Sequence, residues 1–162
     1  MTTFEFGVRM FATPSELVAA TGQILGPGQW HPVEQGRVDL FADATDDHQW
    51  IHVDAERAAS GPFGGTVAHG YLTLSLLPAL VRDVYRVEGL RLGVNYGLNR
   101  VRFPAPLRTG SRIRATVRID EVTEVADGIQ LVNTVTVDSD SDSGKPVCVA
   151  ETVSRLYFAR EA

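Results

Sequence analysis

GYLTLSLLPALVRDVYRV, residues Gly70 to Val87, sets apolar side chains around almost the whole circumference of a helix: Tyr71, Leu72, Leu74, Leu76, Leu77, Leu80, Val81, Val84 and Tyr85. A helix apolar on nearly every side belongs inside a core, not on its surface. Pro78 removes one backbone hydrogen bond within it and predicts a kink. Downstream the period changes to two. Leu90 to Tyr96, Arg100 to Phe103, Arg112 to Val122, Ile129 to Val137 and Val147 to Phe158 read as strands. In Arg112 to Val122, Ile113, Ala115, Val117 and Ile119 share one face, and Arg112, Arg114, Thr116 and Arg118 share the other. One packed face and one wet face is the pattern of an antiparallel sheet. A buried helix followed by such a meander predicts an α+β domain, the antiparallel β-sheet wrapped around a long central α-helix.

Upstream, Pro14-Ser15-Glu16 before Leu17, Val18 and Ala20 predicts a short helix with Ser15 near its N-cap. Gly26-Pro27-Gly28 marks a turn, and Val38, Leu40, Phe41 and Ala44 give Gln35 to Ala44 a helical spacing. A polar loop, Thr45 to Asp54, follows and concentrates titratable groups: Asp46, Asp47, His48, His52 and Asp54. A further short helix is expected through Glu56 to Ala59, ahead of a glycine-rich loop, Gly61 to Gly65. The alternating Asp and Ser of Asp138 to Gly144 lack the Gly and Glu that a calcium loop requires, since Ser143 and Val149 stand there. That segment reads as a solvated hairpin loop.

With 162 residues and no linker or repeat, the chain fits one domain spanning residues 1–162. Its net charge of −5 advertises no nucleic-acid surface, so an anionic ligand must meet a local cluster of Arg. The one cysteine, Cys148, permits no internal disulfide and lies in an alternating stretch, as a small core residue would. Met1 to Met10 carries Glu5 and Arg9 and lacks the apolar centre of a signal peptide. The most apolar run, Tyr71 to Val81, is too short for a membrane span. The expectation is a soluble, cytoplasmic protein with no membrane partner.

The chemically informative segment is Phe41-Ala42-Asp43-Ala44-Thr45-Asp46-Asp47-His48-Gln49-Trp50-Ile51-His52-Val53-Asp54, with Ala68-His69-Gly70 opening the buried helix farther on. Asp47, four intervening residues, His52 and then Ala68-His69-Gly70 resemble the MaoC-like, R-specific enoyl-CoA hydratase family, as do Phe63-Gly64 and Phe103 with Pro106. The resemblance covers roughly residues 35 to 160. It departs at Asp46, Gln49 and Trp50, where the family often has Gly, Asn and Pro. The form Asp-His-Gln-Trp-Ile-His resembles a subgroup that includes nodulation-protein-N-like sequences. Gln49, an amide with the same donor and acceptor groups, is the expected stand-in for the substrate-orienting Asn.

The resemblance implies a hot-dog fold and a homodimer with two sheets joined edge to edge. It also implies reversible hydration of trans-2-enoyl-CoA to (R)-3-hydroxyacyl-CoA. Water is a poor nucleophile and needs a positioned base; the α-carbon then needs a proton, and the enolate oxygen needs donors. The resemblance assigns the water to Asp47 and His52 and the oxyanion to the backbone N–H of Gly70, unpaired at a helix start. The order of proton transfers between Asp47 and His52 stays open, because coupled groups titrate as a pair. Taken alone, Asp47 reads first as the cap of a helix beginning near Trp50 and His69 as a hydrogen-bonder holding the turn, with a satisfied core histidine the alternative for His52 and a plain helix entry for Gly70.

Substrate contacts are expected from Gln49, Asn95, Tyr96, Arg100 and Arg102, the arginines suiting coenzyme A phosphates; a solvated strand face explains those arginines equally well. Asp46, Asp47, His48 and His52 could be imagined as metal ligands, but loop spacing fixes no geometry and this hydration needs no metal. The expectation is therefore no metal and no cofactor beyond the coenzyme A or acyl carrier protein of the substrate. Two alternatives share the fold: an acyl-CoA thioesterase, and a non-catalytic acyl-thioester-binding protein.

Overall fold

The computed structural model describes residues 7–141 and 143–159. In chain order the elements are β1 (Arg9–Phe11), α1 (Pro14–Ala19), β2 (Ile24–Leu25), β3 (His31–Pro32), α2 (Gln35–Thr45), α3 (Trp50–Val53), α4 (Ala55–Ala59), α5 (Gly70–Ser75), α6 (Leu77–Arg82), β4 (Tyr85–Val87), β5 (Leu90–Arg102), β6 (Arg112–Val125), β7 (Gly128–Ser139) and β8 (Cys148–Phe158). The main sheet is antiparallel in the order β2-β6-β7-β8-β5, with β3 pairing farther along β6. Its inner face supplies Ile113, Val117, Ile119, Leu131, Val135 and Ala150, packed against Leu72, Leu77, Leu80 and Val84 of the helical segment. This is the α+β hot-dog arrangement, a sheet folded around a helix. Ile113, Ala115, Val117 and Ile119 are all buried, as the alternation in β6 predicts. Arg112 and Arg114 on the outer face lie over the Trp30 ring.

The central helix differs from expectation. Instead of one helix over Gly70 to Val87, α5 ends at Ser75, Leu76 joins it to α6, and α6 stops at Arg82. Pro78 cannot donate to the Leu74 carbonyl and its ring displaces that turn, so the helical path breaks at Leu76. The helical segment is also less enclosed than the all-round pattern implied, for Tyr71 is 71% exposed. Tyr85 to Val87 leaves the helix to pair in parallel with Arg9 to Phe11, and Val84, Tyr85 and Val87 suit a strand as well as a helix. His31 holds the end of α6 through a 2.6 Å contact with the Asp83 carboxylate.

Other boundaries shift for local reasons. Thr13, not Ser15, caps α1, its hydroxyl accepting from the Glu16 N–H at 3.3 Å while Pro14 takes the first turn. The segments Leu90 to Tyr96 and Arg100 to Phe103 form one strand, β5, with irregular pairing around Asn95/Gly97 and Leu98/Arg100 that preserves continuity. Phe103 lies just beyond it. The Thr45 to Asp54 loop contains the single turn α3, and Asp54 then caps α4 by accepting from the Arg57 N–H at 3.0 Å. Asp138 and Ser139 belong to β7, so the acidic loop is shorter than expected. Asp140 accepts from the Arg112 backbone and guanidinium, whereas Asp142 lies outside the described residues. Cys148 is fully buried and burial raises its thiol to about 11, as befits a core residue. Of the Met1 to Met10 segment, residues 1–6 lie outside the described residues. No helix among the described residues is long and apolar enough to cross a membrane.

Candidate active site

The site is assembled where α2, α3 and the start of α5 meet. Asp46 ends α2 in the left-handed region (φ 58°, ψ 20°), a conformation Asp tolerates better than most residues, and so turns the chain sharply before Asp47. The half-exposed Asp47 carboxylate accepts weakly from the Gln49 N–H at 3.4 Å. Gln49 starts α3, and one turn later His52 points inward and is buried. Gln35 on α2 clamps this turn. Its amide N–H donates to the His52 carbonyl at 2.7 Å, and its carbonyl accepts from the Thr66 hydroxyl at 2.6 Å. The Ile51 carbonyl takes the Val67 N–H at 3.0 Å.

The His52 ring is fixed from behind. Its Nδ1 lies 2.6 Å from the Val67 carbonyl. A carbonyl only accepts, so Nδ1 carries the proton and Nε2 keeps its lone pair. Burial moves the His52 pKa below its ordinary value; the Val67 bond opposes that shift, His69 adds to it, and the Asp47 charge opposes it. The result is a neutral imidazole with an open basic nitrogen near a carboxylate.

His69 supports both members. Its Nε2 donates to the Asp47 main-chain carbonyl at 2.9 Å and its ring stacks on His52 at 3.8 Å, with Phe41 against it at 5.0 Å. That is the hydrogen-bonding role its sequence position suggested, with the stack added. Asp47, His52 and His69 each offer one ligand atom, all within 4.8 Å of one another. A metal would need their lone pairs to converge at about 2.0–2.1 Å. The two stacked imidazole planes are 23° apart, and His52 Nδ1 and His69 Nε2 are committed to carbonyls, whereas His69 Nδ1 has no partner among the described residues.

Gly70 follows directly. Its N–H has no partner among the described residues, and a Cβ built on it would stand 3.0 Å from the Phe103 ring. Gly70, Phe103, Ala68, Thr73 and Val147 border a cavity of about 290 Å³. The structure thus gathers Asp47, His52 and Gly70 around His69.

The remaining expected contacts divide. Gln49 is exposed beside Asp47. Asn95 lines cavities between β5 and the helical segment. Tyr96 is on the other face of the sheet, under the Arg155 guanidinium at 3.7 Å. Arg100 and Arg102 are exposed on β5, Arg102 donating to the Val101 carbonyl. Arg108 is tied to the Phe63 and Gly64 carbonyls and so holds the glycine-rich loop. His48 turns outward to Asp43, away from the site. Sequence reasoning missed Gln35, Thr66 and the Val67 carbonyl. Nothing in the sequence signals a backbone acceptor, and Gln35 reads only as the start of a helix.

Comparison with known proteins gives the family and the fold. Residues 16–141 match the MaoC-like domain family. The chain is 51% identical over 149 residues to 3-hydroxyacyl-thioester dehydratase Z of Mycobacterium tuberculosis, covering 91% of this chain and 98% of the relative. It is 43% identical over 148 residues to nodulation protein N of Rhizobium leguminosarum bv. viciae, covering 89% and 91% respectively. An R-hydratase of Pseudomonas aeruginosa in its unliganded form superposes with a TM-score of 0.65 at 22% identity, over 88% of this chain and 87% of that one, which shows a shared fold.

Proposed function

Since the chain belongs to the MaoC-like dehydratase family, we propose that it is a hydro-lyase interconverting trans-2-enoyl and (R)-3-hydroxyacyl thioesters. The observation that carries the reading is His52: Nδ1 tied to the Val67 carbonyl, Nε2 free, and Asp47 beside it. In the hydration direction Asp47 and His52 hold one water. Loss of its proton to this pair lets the oxygen attack the β-carbon, and the pair returns a proton to the α-carbon. The negative charge that gathers on the thioester oxygen in between is met by the unpaired Gly70 N–H. Dehydration is the same path reversed. Every step uses side chains and backbone of this chain, so the reaction needs no cofactor beyond the carrier, coenzyme A or acyl carrier protein. Gln49 orients the thioester, and Arg100 and Arg102 contact coenzyme A phosphates.

The working unit is a homodimer joined through β5. Among the described residues this strand pairs on one side only, with β8, and leaves Leu92, Tyr96 and Leu98 between 47% and 58% exposed. A long apolar edge left open invites pairing with another chain. We place the reaction in the cytoplasm, within fatty acid metabolism.

The test is the ultraviolet absorbance of the conjugated thioester when the protein meets crotonyl-CoA, read beside a free-thiol assay. Loss of absorbance without thiol supports hydration. Thiol release would replace the reading with thioester hydrolysis, and binding without either change with a non-catalytic module.

A further inference from the structure

Val67, whose carbonyl sets the His52 tautomer, lies in an antiparallel bridge of a single residue pair, opposite Arg108. The Ala68 N–H donates to the Leu107 carbonyl at 2.8 Å, and the Thr109 N–H donates to the Thr66 carbonyl at 3.0 Å. These bonds flank the pair and skip it, so Val67 and Arg108 exchange no backbone bonds with each other. The N–H and carbonyl of Val67 therefore point away from Arg108, to the side where α3 lies. There the N–H donates to the Ile51 carbonyl at 3.0 Å, and the carbonyl meets His52 Nδ1 at 2.6 Å. An isolated pairing of two strands is marginal in water, and this one is one residue pair long. Its setting depends on what holds the chain on either side.

Arg108 holds that chain a second time, through its side chain. Nη1 donates to the Phe63 carbonyl at 2.6 Å and Nη2 to the Gly64 carbonyl at 3.0 Å. A planar guanidinium reaches two successive carbonyls at once, as a single ammonium point cannot. The loop is shaped to receive it. Gly64 takes a left-handed φ of 66°, and a Cβ at Gly65 would stand 2.8 Å from Nη2, so any other residue there would push the guanidinium aside. Among the described residues Arg108 has no ion-pair partner, and its charged donors are directed at these carbonyls. Phe63 also borders the cavity at Gly70, so the same contacts steady one wall of it.

We propose that Arg108 is a positioning residue for His52: its guanidinium fixes the glycine-rich loop, the loop fixes Val67, and the Val67 carbonyl keeps the proton on Nδ1 and leaves Nε2 open. The inference rests on the hydratase reading for its kinetic consequence. It assigns Arg108 to the support of the base, whereas an arginine near this site would otherwise be taken for a contact to coenzyme A phosphates.

The experiment compares Arg108→Met with the unaltered protein on crotonyl-CoA and on crotonyl-pantetheine, which lacks the phosphates. Nitrogen NMR of the His52 imidazole reads the tautomer in both proteins. The expected result is a kcat about tenfold lower with both esters and a KM changed by less than about twofold. The His52 proton should no longer be confined to Nδ1. Arg108→Lys, which reaches only one carbonyl, should lose part of the rate with both esters. A loss confined to the KM of crotonyl-CoA would make Arg108 a phosphate contact and overturn the proposal. An unchanged kcat or an unchanged His52 tautomer in folded Arg108→Met would overturn it too. If that variant does not fold, Arg108→Lys is read by the same criteria. If the unaltered protein does not hydrate crotonyl-CoA, the hydratase reading has failed instead. The tautomer then decides alone: redistribution of the proton in the variant upholds the proposal, and a proton still confined to Nδ1 overturns it.

Discussion

The two ends of the helical segment formed by α5 and α6 hold their polar groups differently. Near Gly70, polar groups are tied to partners: His52 to the Val67 carbonyl, His69 to the Asp47 carbonyl, and α3 to Gln35 and Thr66. Left without a hydrogen-bond partner there among the described residues are His52 Nε2, the Gly70 N–H and the buried His69 Nδ1. At the far end the buried Asn133 amide donates to the Tyr85 hydroxyl, and Asn133 Oδ1 has no partner among the described residues. Under the proposed function, the first end is the one that acts on the reacting centre.

The contrast breaks most visibly at Gly70. Gly70→Ala places a methyl group where the Phe103 ring now sits 3.0 Å away, and it crowds the approach to the N–H. We expect kcat to fall about a hundredfold or more with the fold intact, since Ala is a better helix former than Gly. Unchanged kcat with crotonyl-CoA would remove Gly70 from the oxyanion role.

Acidity gives the next effect. The folded His52 pKa lies below its usual 6.5, burial being the main cause. Between 6.5 and that lower value the unfolded chain binds a proton that the folded chain does not. His52 therefore costs no stability above pH 6.5, and the folded state loses stability as pH falls through this window. Activity should fall in the same direction, about tenfold per pH unit below the folded pKa, as the base becomes protonated. A pH–rate profile of kcat/KM with its acid limb centred above 6.5 would contradict the assignment.

Thr66→Val leaves the Gln35 carbonyl without its donor and loosens α3. It should cost about 1–2 kcal/mol in denaturant unfolding and lower kcat more than it changes KM. The matching change at the other end, Tyr85→Phe with Asn133→Leu, removes both partners of the isolated pair. Its stability should stay within about 1 kcal/mol of the unaltered chain. If the distal double variant proved the more destabilising of the two, the polar pair would be part of the scaffold, and the division between the two ends would collapse.

Much of the candidate site was legible through the family resemblance, which Asp47, His52 and Ala68-His69-Gly70 carry in order along the chain. The alternation of Ile113, Ala115, Val117 and Ile119 likewise carried the sheet. What escaped depends on partners distant in sequence or on the backbone. The Val67 carbonyl, which sets the His52 tautomer, has no residue type to announce it. Tyr85 to Val87 is apolar in a way that suits helix or strand, and only pairing with Arg9 to Phe11 decides for the strand. Pro78 pointed to a kink, while the full break at Leu76 depends on how the two short helices pack against the sheet. In β5, Gly97 falls between the two strands expected from sequence, yet irregular pairing with β8 carries one strand through it.

The most direct measurement is the steady-state rate of Asp47→Asn and His52→Gln on crotonyl-CoA beside the unaltered protein, followed by loss of conjugated-thioester absorbance with circular dichroism to confirm folding. The account predicts that each variant folds and that kcat/KM falls about a hundredfold to ten-thousandfold in both, without thiol release. A folded variant of either residue that hydrates crotonyl-CoA at the unaltered rate would contradict it.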